Sequence, residues 1–282
     1  MSRRQRRMIR IAAPVAGALL ALFAASAQHA SAQRVDSRES SADWLQNCRS
    51  QDRNNQAVHC EVRSSTLAAV RELSVNARPN GGISVTGWDR PEIRVEARIQ
   101  TRAPTDAEAT SIGSAIRIET SGGNVSAEGP ETRDRRGWSV SYEVFAPRQI
   151  DLDLESVNGG LRVQGVRGDM ELNTTNGGIS LEGAAGDVRA HTTNGGLHVE
   201  LEGRSWSGAG LDLQTTNGGI DLAVPDNFSA HLIASTVHGA VDSDFPVTVQ
   251  GRIGRRIDAV LGNGGPTVEL TTTNGGIRIR RN

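Results

Sequence analysis

Three carboxylates stand two residues apart at Asp151, Asp153 and Glu155. Alternate side chains of a strand share one face, so neighbours in this row would sit about 7 Å apart. Paired carboxylates at such spacing can act as acid and base around a glycosidic bond. A sugar-cleaving site also needs rings for stacking, and aromatic residues make up only 3% of the chain. A solvated strand face explains the same row. Calcium is a second chemistry for it, yet the glycine-rich nonapeptide of calcium-binding β-rolls is absent, and Gly168-Asp169 and Gly186-Asp187 read as turns.

Other reactive residues form no set. Beyond residue 32 the histidines are His59, His191, His198, His231 and His238, with no two at a metal-ligand spacing. Gly137-Trp138-Ser139-Val140-Ser141 lacks the closing glycine of a nucleophile elbow. No phosphate loop or dinucleotide fingerprint occurs, because the Asn-Gly-Gly triplets lack a strand-to-helix setting. The chain thus offers no catalytic residues, no metal ligands and no implied cofactor.

Two features suit contact rather than catalysis. Thr175, Thr193 and Thr216 recur at one place in successive units and are expected to form an outward row. Such rows can order water or meet flat, repetitive surfaces, although strand propensity alone also places Thr there. Trp206 lies in a five-residue insertion, around Arg204 to Gly208. It either protrudes from a rigid scaffold as a contact point or folds back to cover the coil.

The elements that must carry these residues repeat. Asn158–Thr175 and Asn176–Thr193 are units of 18 residues, NGGLRVQGVRGDMELNTT and NGGISLEGAAGDVRAHTT. Further units open at Asn194 and Asn217, a degenerate copy lies at Thr236-Val237-His238-Gly239, and the last clear copy opens at Asn274. Each unit alternates apolar and polar residues, as Leu161/Arg162/Val163/Gln164 and Met170/Glu171/Leu172/Asn173 show. Period two means strand. The triplets Asn158-Gly159-Gly160, Asn176-Gly177-Gly178, Asn194-Gly195-Gly196, Asn217-Gly218-Gly219 and Asn274-Gly275-Gly276 read as turns, since Asn and Gly tolerate positive φ.

Strand, turn, strand, turn fits an all-β parallel solenoid of two-strand rungs. It also fits an antiparallel meander or sandwich. Identity at 18-residue spacing, as in Thr174/Thr192 and Asn176/Asn194, favours the solenoid, where like residues stack into ladders. The column Glu171, Arg189, Asp212 would alternate charge across rungs. Residues 65–157 use the same parts less regularly and include a short helix starting near Pro104–Ala109. They read as a diverged portion or a cap, continuous with 158–282 as one domain.

Residues 1–32 carry the pattern of a cleaved secretory signal. Arg3, Arg4, Arg6, Arg7 and Arg10 precede an apolar run from Ile11 to Ala25, and Ala30-Ser31-Ala32 supplies the cleavage pattern before Gln33. The run is shorter than the roughly 20 residues of a membrane span. The mature chain is expected to contain no span, no anchor and no sorting motif. The whole chain has 31 basic and 32 acidic residues; the five arginines named leave 26 against 32, a net charge of −6. An acidic surface argues against nucleic acid as partner. In an exported chain the even pair Cys48 and Cys60 favours a disulfide, which would tie a loosely ordered lead-in over 33–64.

Ser139-Val140-Ser141-Tyr142-Glu143-Val144, Pro147, Asp151-Leu152-Asp153-Leu154, Val157-Asn158-Gly159-Gly160 and the serial Thr-Thr-Asn-Gly-Gly copies resemble a known group. They look like the bacterial domain-of-unknown-function 4097 family, labelled as candidate adhesins, over roughly 65–282. The resemblance implies an exported β-repeat domain of the envelope and transfers no catalytic or ligand-binding residues. The expectation is therefore a non-catalytic, periplasmic or extracellular scaffold that binds an envelope polymer or protein. Two alternatives stand beside it: a polysaccharide-active enzyme using Asp151, Asp153 or Glu155, and a structural or stress-linked periplasmic module.

Overall fold

The computed structural model describes residues 40–50, 56–245 and 254–282. The secretory segment read at 1–32 lies outside the described residues. Glu39–Asn282 forms one compact unit.

Alternation of side chains sets the strands, as at Met170–Asn176, where Met170, Leu172 and Thr174 are buried and Glu171 and Thr175 are exposed. The N-terminal half holds α1 (Ser41–Arg49), β1 (Ala57–Ala68), β2 (Glu72–Asn76), β3 (Ile83–Trp88) and β4 (Glu92–Ala103). It continues with α2 (Asp106–Ala115), β5 (Arg117–Ser121), β6 (Asn124–Glu128) and β7 (Gly137–Pro147). The repeats follow as β8 (Asp151–Ser156), β9 (Leu161–Gln164), β10 (Met170–Asn176), β11 (Ile179–Glu182), β12 (Asp187–Asn194), β13 (Leu197–Glu200), β14 (Gly210–Asn217) and β15 (Ile220–Val224). The chain ends with β16 (Ala230–His238), β17 (Val241–Ser243), β18 (Arg256–Leu261), β19 (Thr267–Asn274) and β20 (Ile277–Arg281).

Among the described residues these strands build two 10-stranded sheets. Sheet 1 runs β5-β6-β2-β8-β10-β12-β14-β19-β16-β18, and sheet 2 runs β1-β4-β7-β3-β9-β11-β13-β15-β20-β17. Each rung gives one strand to each sheet, and rungs pair in parallel. Thr174 lies opposite Thr192 and Thr192 opposite Thr215, so the solenoid holds and the meander does not. Buried residues of both sheets join one core, Leu172, Leu181, Leu213 and Leu222 among them.

Sequence order and stacking order part at both ends. β19–β20, last in the chain, sits between β14–β15 and β16–β17, so the degenerate copy lies outside the last clear one. At the other end β2–β3 has β8–β9 on one side and β6–β7 on the other. The border read at 157/158 has no counterpart in the stacking, because Asn80 bridges to Asn158 and Ile83 pairs with Leu161 across it. Antiparallel strands close the ends: β18 on β16, β5 on β6, and β4 and β1 beyond β7. They cover edges that would otherwise offer unpaired N–H and C=O groups.

The lead-in is more ordered than its composition suggests. Ser40 caps α1, with its hydroxyl accepting from the Asp43 N–H at 3.1 Å, and β1 pairs along its whole length with β4. A disulfide joins Cys48 of α1 to Cys60 of β1. The short helix expected after Pro104 is α2. Thr105 caps it, and Thr101, buried in β4, donates to the Ala109 carbonyl at 2.7 Å.

Candidate functional site

Three columns hold the repeat surface in place. The first is an asparagine ladder. Each Nδ2 donates to Oδ1 of the preceding rung: Asn158 to Asn80 at 2.9 Å, then Asn176 to Asn158, Asn194 to Asn176, Asn217 to Asn194 and Asn274 to Asn217, each at 2.8 Å. The second is inward. Thr174, Thr192, Thr215 and Thr272 donate to the carbonyls of Gly159, Gly177, Gly195 and Gly218 at 2.8–2.9 Å. The third is the first glycine of each triplet. A Cβ on Gly177, Gly195 or Gly218 would lie 1.9–2.1 Å from the carbonyl oxygen of the glycine one rung away.

These columns correct the reading of the triplets as positive-φ turns. None of the ladder asparagines has positive φ, nor do the glycines that follow them from Gly159 onward. Asn is there for its two-sided amide and Gly for close approach of backbones. The opposite corner does use the left-handed region, with φ of 64° at Gly165 and 59° at Gly183. The degenerate copy fits the same logic. Gly239 is kept, because a Cβ there would meet the Gly275 oxygen at 1.9 Å, while His238 takes the ladder position opposite Asn274.

Trp206 is not a protruding contact point. It is 5% exposed, belongs to the core, and its indole N–H donates to the Gly186 carbonyl at 2.9 Å. Burying so large a ring removes much apolar area from water, and a backbone acceptor satisfies its one donor. Thr175, Thr193 and Thr216 do face outward, and Thr273 and Val237 extend their row. The column Glu171, Arg189, Asp212 is also in register.

Asp151, Asp153 and Glu155 lie on the outer face of sheet 1, half-buried, and neighbours hold each carboxylate. Asp151 accepts from the Asp169 N–H at 2.9 Å and lies 3.4 Å from Nε of Arg71. Asp153 accepts from Ser74 and Glu155 from Asn76, both at 3.2 Å. The depression that includes Asp151 and Asp153, of about 310 Å³, is lined by charged residues, Leu152 and Met170, with no aromatic ring. This is an ion-paired strand face. The histidines are dispersed: His231 meets Asp258 at 2.8 Å, and His198 lies 3.8 Å from Asp221. No group of three potential metal ligands occurs among the described residues.

The surface that sequence reasoning missed is on sheet 2. Two adjoining depressions, of about 590 and 540 Å³, share Gly196 and His198 and form one groove across the rungs. Its floor is the second glycine of each triplet: Gly82, Gly160, Gly178, Gly196, Gly219 and Gly276. Its wall is the outward column Ser84, Arg162, Ser180, His198, Asp221 and Arg278. A Cβ on Gly196 or Gly276 would find ordinary contact at 3.4–3.5 Å, and neither has positive φ. Packing therefore does not demand glycine at these two positions, whereas at Gly82, Gly160, Gly178 and Gly219 a Cβ would sit a tighter 3.0–3.2 Å from the neighbouring carbonyl oxygen. The signal was present in the doubled glycine, whose second member is less tightly packed than the first.

Beside the groove, Trp88 and Phe145 lie 5.6 Å apart, and the Arg94 guanidinium sits 4.2 Å from the Phe145 centroid. On the inner side, Tyr142 is buried with an unpartnered hydroxyl, and burial pushes its phenol far above the ordinary range.

Fold and surface together define a two-sheet β-repeat scaffold. The chain belongs to the Toastrack family DUF4097, whose profile matches residues 35–280. The match begins before the region that carries the repeat motifs and takes in the disulfide-tied lead-in. Solved structures with some likeness include a candidate cell adhesion protein from Clostridium sporogenes, 12% identical with a TM-score of 0.42, covering 79% of this chain and 100% of that one. A candidate adhesin from Bacteroides fragilis is 10% identical with a TM-score of 0.39, covering 79% and 97%. A candidate lipid-binding protein from Parabacteroides distasonis is 11% identical with a TM-score of 0.27, covering 78% and 96%. No curated protein matches the chain. No helix among the described residues is long and apolar enough to cross a membrane.

Proposed function

We propose that this chain is an exported, non-catalytic scaffold of the cell envelope that holds an extended polar polymer or protein segment in the glycine-floored groove of sheet 2. The observation that carries this reading is the groove itself. It crosses six rungs, from Gly82 to Gly276, which at strand spacing is about 24 Å. The floor carbonyls already accept from the next rung, as Gly196 does from the Ile179 N–H and Gly219 from the Leu197 N–H. The polar contacts therefore come from the wall, where Ser84, Arg162, Ser180, His198, Asp221 and Arg278 follow one another. An elongated, hydrogen-bonding chain suits that chemistry better than a compact apolar ligand.

Export is supported by the basic, apolar and small-residue pattern of residues 1–32, and a disulfide suits an oxidising compartment. The polysaccharide-cleaving alternative loses support, because its carboxylates lie on an open face without a stacking ring.

Gly196→Leu fills the groove at a position where the fold tolerates a side chain. Immobilised wild-type protein is expected to retain a component of separated envelope polysaccharide or protein fractions, and Gly196→Leu to lose it with an unchanged melting temperature. Equal retention by both proteins, or by neither, overturns the groove. Cell fractionation tests export: mature chain starting at Gln33 belongs in the periplasm or medium.

A further inference from the structure

The sequence contains seven Asn-Gly pairs, opening at residues 80, 158, 176, 194, 217, 263 and 274. This dipeptide is chemically fragile. Glycine has no Cβ to obstruct its backbone nitrogen, which can attack the side-chain carbonyl of the preceding asparagine. We propose that Asn263 is a site of spontaneous deamidation and that the stacked fold shields the other six.

The reaction closes as follows. With base removing its proton, the Gly264 nitrogen bonds to Cγ of Asn263. The Cγ–Nδ2 bond breaks and the amide leaves as ammonia, taking up a proton. The resulting five-membered succinimide is opened by one water at either carbonyl, giving aspartate or isoaspartate. Nothing is oxidised or reduced, and water and hydroxide are the co-reactants.

Two conditions govern the rate: the side-chain amide must swing onto its own backbone, and the glycine N–H must come free. The ladder denies both. Asn176, for example, donates to Asn158 and accepts from Asn194, both at 2.8 Å. The next glycines are bonded across rungs, with Gly195 donating to the Asn217 carbonyl at 3.1 Å and Gly218 to that of Asn274 at 3.0 Å. The glycine backbone is also wedged against the neighbouring rung.

Asn263 stands outside the ladder, exposed on the turn between β18 and β19. Its side chain has no hydrogen-bond partner among the described residues; its backbone N–H meets Ser229 Oγ at 3.1 Å. Positive φ at Gly262, Gly264 and Gly265, of 55°, 76° and 143°, marks a turn built from the most adaptable residue. The Gly264 N–H bonds to Leu261 within that same turn, so local opening frees it without disturbing the stack.

The sequence supplies an internal control. Cleavage after Arg256 and Arg278 releases one peptide carrying both Asn263 and Asn274. The folded protein is held in mildly alkaline buffer, digested, and analysed by fragmentation mass spectrometry. Asn263 is expected to gain the amide-to-acid increment about ten-fold or more faster than Asn274 or any other ladder asparagine, reflecting local rather than global opening. In denaturant the seven sites should convert at similar rates. Asn263→Gln should abolish the early conversion. Ladder sites converting as fast as Asn263 in the folded protein, or Asn263 staying intact there while converting in denaturant, overturns the proposal.

Discussion

The side-chain amide of Asn194 donates to Oδ1 of Asn176 at 2.8 Å and accepts from Asn217 at the same distance. One residue thus closes a bond on each side, and only a group that both donates and accepts can take its place. Asn194→Asp puts a carboxylate opposite the Asn176 oxygen and should cost about 1–3 kcal/mol at neutral pH. Protonation restores a donor, so the introduced carboxyl has a raised folded-state pKa. Its loss of stability should shrink as pH falls and grow as pH rises through that pKa. Denaturant titration at several pH values, against the wild type, checks both direction and size.

The paired threonines differ in role although they are adjacent. Thr192→Val removes the bond to the Gly177 carbonyl and leaves it unmet inside the stack, an expected loss of about 1–3 kcal/mol. Thr193→Val alters an outward side chain and should stay within about 0.5 kcal/mol of wild type. Equal effects in urea unfolding would contradict the inward hydrogen-bonded column.

The two glycines of one triplet should respond unequally. A Cβ at Gly195 would lie 2.0 Å from the Gly177 oxygen, so Gly195→Ala must push rungs apart and should cost about 3 kcal/mol or prevent folding. Gly196→Ala meets its nearest neighbour at 3.4 Å and should fold with near-normal stability. Soluble yield and thermal melting of the pair decide this.

Tyr142→Phe should be neutral or stabilising by about 1 kcal/mol, because the buried hydroxyl it removes has no partner and the ring shape is kept. A clear loss of stability in chemical unfolding would show that the hydroxyl is satisfied.

Reducing Cys48–Cys60 should cost about 3 kcal/mol for a loop of this length. The loss should begin at α1 and β1, where hydrogen exchange is expected to rise before it does in the central rungs. Simultaneous loss of protection everywhere would instead make the lead-in part of a single cooperative unit.

Much of the fold was legible because its cause is local. Alternation at Leu161–Gln164 and Met170–Asn173 dictates strand, and identity at 18-residue spacing favours stacking, since like side chains gain from lying over like. The role of the triplets was harder to read. Asn-Gly-Gly fits a positive-φ turn as well as a stacked corner, and only the neighbouring rung, less than 3 Å from the missing Cβ, separates the two. Trp206 was equally open, because its burial depends on a Gly186 carbonyl 20 residues away.

By itself, then, the sequence determined strand periodicity, and it favoured parallel stacking of the middle units over a meander and a bond between the two cysteines, all of which follow from residue type and spacing. Only the tertiary structure decided that β19–β20 wedges inside β16–β17, that the inward threonines bond to glycine carbonyls of the neighbouring rung, and that the second glycines pave a groove. Those outcomes depend on which surfaces meet, and a chain that repeats one motif offers each unit several equivalent neighbours. The caps and the degenerate copy remove that equivalence at the ends, where stacking order departs from chain order.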